Sequence, residues 1–278
     1  MSTRMMAAIA MSLISLMVGL CAGYLLATVP NAKNLRIHGP RVMDSGELNQ
    51  ACATIGTIMI SYPRGYSFFP VTYEGVNYWG EGVKKHLEKG CADRALQTSF
   101  STEWPGLSVV EGSSYFTSGD PRFIAITLEG NKSPDPEESI ERVWKHWMAL
   151  DGEPLGDVRS RIDRQAGGIA DQELGLMRAR IKRAEKPGIF PSMRTVYWDR
   201  PSSNSWTTLI KCDTYIQGVG TCEQRMYVED WDVWLVIYYR HGLVYRWKEM
   251  RDQVIPFIAQ FIKQQNLPEG LKASALPR

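Results

Sequence analysis

The sequence predicts an α+β protein in which an N-terminal transmembrane or signal-anchor helix is followed by two α+β domains, each an antiparallel sheet with packed helices. Three observations predict it. Met5–Val29 is a run of 25 residues without a charge, long enough to cross a hydrocarbon core of about 30 Å as a helix. Short strand-like runs bounded by turn residues recur through the rest of the chain, RFIAITLE and DVWLVIYY being the most apolar. Each of these two is followed by a tryptophan-bearing amphipathic stretch, ESIERVWKHWM and LVYRWKEM.

Composition excludes several classes. Lys and Arg total 32 against 30 Asp and Glu, a net charge of +2, so nothing in the bulk charge points to nucleic acid. With 44% hydrophobic residues, 9 Trp and 12 Tyr, the chain carries too many large apolar rings for a disordered protein.

Residues 1–32 form the membrane segment. Only Arg4 and the amino terminus precede the apolar run, while Lys33, Arg36 and Arg41 follow it. That asymmetry alone would keep the body in the cytoplasm. A cleaved signal peptide is the alternative to an anchor, although Pro30-Asn31-Ala32 is a poor cleavage site. Leu20 before Cys21 argues against a lipoprotein. Gly19 and Gly23 form a GxxxG pair through which two such helices could self-associate; two ordinary glycines in an apolar helix is the plainer reading.

Outside that run the cysteines are Cys52, Cys91, Cys212 and Cys222, an even set. Cys212 and Cys222 flank IKCDTYIQGVGTCEQRM, two β-like arms in which the cysteines face each other across a hairpin centred near Gln217. Directly opposite, non-hydrogen-bonded residues have Cα atoms about 4.5 Å apart, within reach of a disulfide. Cys52 then pairs with Cys91 by elimination. Free buried cysteines are the alternative. Disulfides place the body on the oxidising side of a bacterial inner membrane, in the periplasm, or soluble there if the segment is cleaved.

Along the body, residues 33–130 make the first domain. Thr54–Ser61 is a strand stopped by Pro63-Arg64-Gly65, Val71–Trp79 a second, and Gly80–Lys89 a short helix capped by Gly90. Leu107–Glu111 and Arg122–Glu129 are further strands. Residues 131–152 comprise the linker GNKSPDPEE and a helix with Asp135 as N-cap and Pro136 at the first position. Ile140, Val143, Trp144, Trp147 and Met148 share its buried face. Residues 153–264 make the second domain: a strand at Val158–Gln165, a helix at Asp171–Arg183, a strand at Arg194–Asp199, arms at Trp206–Ile216 and Thr221–Glu229, a central strand at Asp232–Tyr239 and a long helix containing Pro256. Residues 265–278 are expected to be a disordered tail.

No GxSxG elbow, Walker A loop, HExxH, SxxK or GxGxxG motif occurs. Cysteine and histidine spacings fit no zinc site, so no catalytic residue, metal or cofactor is assigned. Three clusters are candidate partner surfaces. Arg64, Tyr66 and Phe68 leave the first strand as an aromatic turn, which either packs in the core or anchors an interface. Glu229, Asp230 and Trp231 form an acidic turn, either solvated or a dock for a basic partner. Asp171 and Glu173 follow a Gly167-Gly168 break, in a strand-to-helix connection with Asp171 as N-cap.

That last segment, with Arg164, Gly167, Gly168 and Glu173, resembles part of the immunity proteins that protect bacteria from type VI secretion phospholipase effectors. CATIGTIMISYPRGYSF (Cys52–Phe68) is similar to their opening strand, and the final strand with its tryptophan helix to their end. The resemblance implies a clamp-like, two-domain periplasmic protein that binds a secreted lipase-like effector and blocks its active site without catalysis. From the residues alone, an anchored scaffold subunit of an envelope complex and a hydrolase with a noncanonical site remain open.

Overall fold

The computed structural model describes residues 50–76, 89–110, 120–150, 152–164, 168–182, 192–199, 207–215 and 220–265. All lie in one compact unit, Ser45–Arg278. Among them no helix is long and apolar enough to cross a membrane. The apolar run of residues 5–29, most of the expected helix at Gly80–Lys89 and the tail beyond Gln265 fall outside the described residues.

Two hairpin arms open the fold. β1 (Gln50–Ile55) and β2 (Ile58–Pro63) pair antiparallel around Gly56 and Thr57. Gly56 has φ +53°, the left-handed conformation that two-residue hairpin turns demand and glycine supplies. The single strand expected over Thr54–Ser61 is therefore two, because that glycine reverses the chain. β3 is confined to Thr72–Tyr73. β4 (Ala95–Glu103) and the short β5 (Ser108–Val109) follow, then β6 (Phe123–Gly130).

α1 (Pro136–Met148) begins where the sequence predicts. The Asp135 carboxylate accepts from the backbone N–H groups of Glu137 and Glu138 at 2.9 and 3.1 Å, satisfying donors that the first turn leaves open. The next two elements exchange identities relative to expectation. Residues expected as a strand at Val158–Gln165 form α2 (Leu155–Arg164), because Val158 and Ile162, four apart, bury one helical face. The helix expected at Asp171–Arg183 is instead a hairpin of β7 (Ile169–Asp171) and β8 (Leu176–Lys182). Asp171 caps its turn, accepting from Leu174 N–H at 3.1 Å, and Gly175 takes φ +67°; an aspartate and a glycine in these roles serve a turn as readily as a helix start.

β9 (Ser192–Trp198), β10 (Leu209–Tyr215), β11 (Gly220–Val228) and β12 (Val233–Arg240) follow. A six-residue 3₁₀ segment, His241–Arg246, leads into α3 (Trp247–Ala259), which contains Pro256. β13 (Ile262–Gln265) then pairs with β2, so the chain adds a strand at the point where the tail was expected to begin.

These strands make two antiparallel sheets. The larger runs β3-β4-β6-β12-β11-β10-β9-β8-β7, with β5 beside β4; the smaller is β1-β2-β13. Strands from both expected domains meet in the larger sheet, where β6 pairs with β12 from Val233↔Gly130 to Tyr238↔Ala125. Two separate domains meeting at residue 153 are therefore not what the chain forms. The two strongest apolar runs, RFIAITLE and DVWLVIYY, serve as neighbours in one sheet.

Both faces of that sheet are covered. On one, Ile126, Leu128, Leu235 and Ile237 pack against Ile58, Ile60 and Tyr62 of the small sheet and Val254, Phe257 and Ile258 of α3. On the other, Val196, Trp198 and Leu209 pack against Ile140, Trp144 and Met148 of α1 and Val158 and Ile162 of α2. β4, second from one end of the larger sheet, is buried yet rich in hydroxyls; Thr98 and Ser99 are satisfied by bonds to Tyr62 (2.5 Å) and Thr127 (3.1 Å). Disulfides Cys52–Cys91 and Cys212–Cys222 are both present. The second joins directly opposed residues of β10 and β11 with Cα atoms 4.1 Å apart.

Candidate functional site: an acidic aromatic cleft beside the first helix

The sequence-nominated clusters separate in space. Arg64 is exposed and donates from Nε to the Gln50 carbonyl at 3.1 Å. Tyr66 is half-buried, its ring 5.4 Å from Phe257 and 5.6 Å from Phe261, so it seats the turn against α3. Phe68 lies between Phe69 and Phe123, and its backbone N–H donates to Ser99. Asp171 is held by Leu174 N–H and by an ion pair to Arg178 at 2.9 Å, while Glu173 is exposed in the same turn. Arg164 ends α2, Gly167 lies outside the described residues, and Gly168 takes φ +93° against the Trp198 ring.

The acidic cluster splits. Trp231 is buried in the main core and serves packing. Glu229 and Asp230 are exposed on the 3₁₀ turn Glu229–Trp231. Asp232, the next residue, adopts φ +51°. This turns its carboxylate to accept from Tyr227 Oη at 2.6 Å and from Asn131 Nδ2 at 3.0 Å. Burial, together with the bond to that carboxylate, pushes the Tyr227 hydroxyl up to about 12, so it stays a donor across the physiological range.

Glu229 and Asp232 line an open cleft of about 800 Å³ together with Glu137, Tyr227 and Trp234. The Tyr227 and Trp234 rings stand 5.3 Å apart at 50°. Glu137 comes from the first turn of α1, and Lys132 contributes one opposing charge at the rim. Beyond the 131–133 segment a second hollow of about 500 Å³ continues along the same sheet face to Glu129 and Arg225. Arg225 bridges Glu129 at 3.0 Å and Glu223 at 2.6 Å, and Glu223 also holds Lys211 at 2.7 Å. Burial works against the charge on Arg225, but the two carboxylates outweigh it and raise its basicity. The floor is thus a fixed ionic ladder, and the wall an aromatic pair ringed by carboxylates.

Such an arrangement accepts a basic side chain: carboxylates attract the charge and the ring faces stabilise it at close range. Among the described residues no group of His, Cys, Asp and Glu is arranged to hold a metal ion. Sequence reasoning located Glu229 and missed Trp234, Tyr227 and Glu137. The signal for Trp234 is the alternation in DVWLVIYY: Val233, Leu235, Ile237 and Tyr239 point to one face, leaving Trp234 on the other.

No protein-family model matches this sequence, and no curated protein does. Among solved structures the chain is similar to an immunity protein of the Stenotrophomonas maltophilia type IV secretion system, with a TM-score of 0.51 and 15% identity, covering 78% of this chain and 94% of that one. At that identity the likeness is one of fold, and it extends over nearly the whole of the other protein.

Proposed function

We propose that this chain is an immunity protein of the bacterial envelope that neutralises a secreted effector by binding it. The observation that carries this reading is the fold likeness to a secretion-system immunity protein along nearly all of that protein's length. Two further features support it. Both disulfides suit an oxidising compartment, and the cleft beside α1 offers recognition chemistry, carboxylates around aromatic rings, on a braced sheet face.

The sequence resemblance and the fold likeness name different secretion systems, type VI and type IV. Neutralisation is what they share. A lipase-like effector, blocked at its active site, is the finer reading the resemblance adds. In that account residues 5–29 anchor the chain in the inner membrane and the body faces the periplasm. The cleft takes a Lys or Arg of the effector between Glu137, Glu229 and Trp234. Its mechanism is steric, so affinity and rigidity decide the outcome. A central basic side chain desolvated between acid and aromatic groups is worth about 2 kcal/mol or more to binding.

The test is protection in cells. The product of the neighbouring gene, directed to the periplasm, is expected to halt growth, and co-expression of this chain to restore it. A neighbour harmless in the periplasm, or toxicity unchanged by this chain, would remove the proposal.

A further inference from the structure

The acidic cleft and the hollow beside it form one groove in two parts. Glu129 of β6, Trp234 of β12 and Tyr227 of β11 pair in a single rung across three strands, and Trp234 lines both depressions. Tyr227 borders the first and Arg225 the second. These two residues lie two apart on β11 and share a sheet face, which sets the two parts about 7 Å apart along the strand. Asn131 borders both and is fixed in place: its Nδ2 donates to Asp232 at 3.0 Å and its Oδ1 accepts from Ser133 N–H at 3.1 Å.

The two parts differ in chemistry. The first gathers the carboxylates of Glu137, Glu229 and Asp232 against the single ammonium of Lys132. In the second, the charges of the floor and of the helix are already answered: Arg225 by Glu129 and Glu223, and Arg142 by Glu138 at 3.0 Å. Its wall is apolar, formed by Leu96, Ile140, Val143 and Trp234, and of these only Ile140 is fully buried. A charged side chain entering there gives up water for a floor whose ions are spent, whereas an aliphatic one gains by covering the wall. Lys132 is exposed at the rim of both parts and keeps its water.

We propose that the groove reads a two-residue pattern in the bound protein: an extended segment places a Lys or Arg in the acidic cleft and, two positions along, an aliphatic side chain in the second hollow. This rests on the reading of the cleft as the effector-binding site and names the segment it takes. Alternate side chains of an extended chain fall on one side with the same repeat of about 7 Å, so one segment fills both parts without bending. Charge complementarity fixes the basic position, and the spent ionic ladder fixes the aliphatic one. The bonds that hold Asn131 keep the border between the two parts in place before anything binds, which lowers the ordering cost of association.

Anisotropy of a fluorescent peptide with the core leucine, serine, lysine, serine, leucine, titrated with the full chain, tests this. The core is symmetric, so either chain direction offers a leucine to the second hollow. Saturable binding is expected, at least about tenfold weaker when both leucines are serine and when the lysine is glutamate. Ser139 lines the second hollow, so Ser139→Glu should weaken the leucine peptide and strengthen one carrying lysine in place of both leucines, a gain that unfolding could not produce. Absence of saturable binding, or equal binding when the leucines are serine, would overturn the proposal. Equal or tighter binding with glutamate in place of the leucines would overturn it too, giving the second hollow to an acidic side chain at Lys132, as would indifference of both peptides to Ser139→Glu. These titrations read the groove and not protection in cells: the two-residue pattern fails alone if the peptides behave so, and the effector reading fails alone if protection is absent.

Discussion

Gly56 lies so close to the carbonyl of Trp231 that a β-carbon at Gly56 would stand 2.3 Å from that oxygen. Thr57 N–H donates to the same carbonyl at 2.9 Å, and Thr57 Oγ1 donates to the Asp230 carbonyl at 3.2 Å. The first hairpin thus clamps the acidic turn that lines the cleft. Gly56→Ala combines a left-handed backbone with a backbone collision and should cost about 2–4 kcal/mol. Gly75 has φ +71° with nothing within 4 Å, so Gly75→Ala should cost only about 1 kcal/mol. Urea denaturation with unchanged slope checks both. Equal losses would show that the contact with Trp231 carries no weight.

The two disulfides close loops of different length, with sequence separations of 39 and 10. Loop-closure entropy gives about 4 kcal/mol for the longer and about 3 kcal/mol for the shorter. Cys52→Ser with Cys91→Ser should therefore lower stability more than Cys212→Ser with Cys222→Ser. Thermal or chemical unfolding of the two double variants reads the order, and a larger loss for the shorter loop contradicts it.

Glu153 joins the two helices by a paired contact with Arg161: Nε to Oε1 at 2.7 Å and Nη2 to Oε2 at 3.0 Å. Its Oε2 also accepts from Leu150 N–H at 2.8 Å. The Arg161 bonds hold the carboxyl below its ordinary value of 4.5, against a smaller opposing effect of burial. The unfolded chain therefore takes up this proton first as pH falls. The stabilisation is full above about 4.5 and disappears as pH drops through the lowered native value. Glu153→Gln should cost about 1–2 kcal/mol near pH 7, and the gap to the unaltered protein should narrow below pH 4.5. A gap constant down to pH 3 would rule out the ionic origin.

In the cleft, Trp234→Ala should weaken effector binding by about 2 kcal/mol, roughly thirtyfold. Glu137→Lys combined with Glu229→Lys should mainly slow association, with an effect that shrinks at high salt. Stopped-flow rates at two ionic strengths separate these outcomes. Salt-independent losses would deny the carboxylates a steering role.

Features marked by local chemistry were legible in the sequence, and those decided by burial or by long-range pairing were not. Asp135 with Pro136 marked the helix start because capping is local and chemical. Cys212 and Cys222 declared their register because a hairpin has few alternatives. β4 was left unassigned: Thr98, Ser99, Ser101 and Thr102 show no apolar alternation, and it is their burial in the folded chain that marks them as a strand. Residues 155–182 were inverted because Val158 and Ile162 carry too few apolar neighbours to separate a helical period from a strand's, and Asp171 suits either structure. The cleft was half visible. Glu229 stood out by charge, while Trp234 belongs to it only because β12 pairs with β6 across what looked like a domain boundary.

The most direct test of the central claim is co-purification of the full chain, exported to the periplasm, with the product of the neighbouring gene. The account predicts a stable complex that survives gel filtration, loses affinity on Trp234→Ala, and holds the effector inactive. A neighbouring product that elutes alone and remains active in the presence of this chain would contradict it.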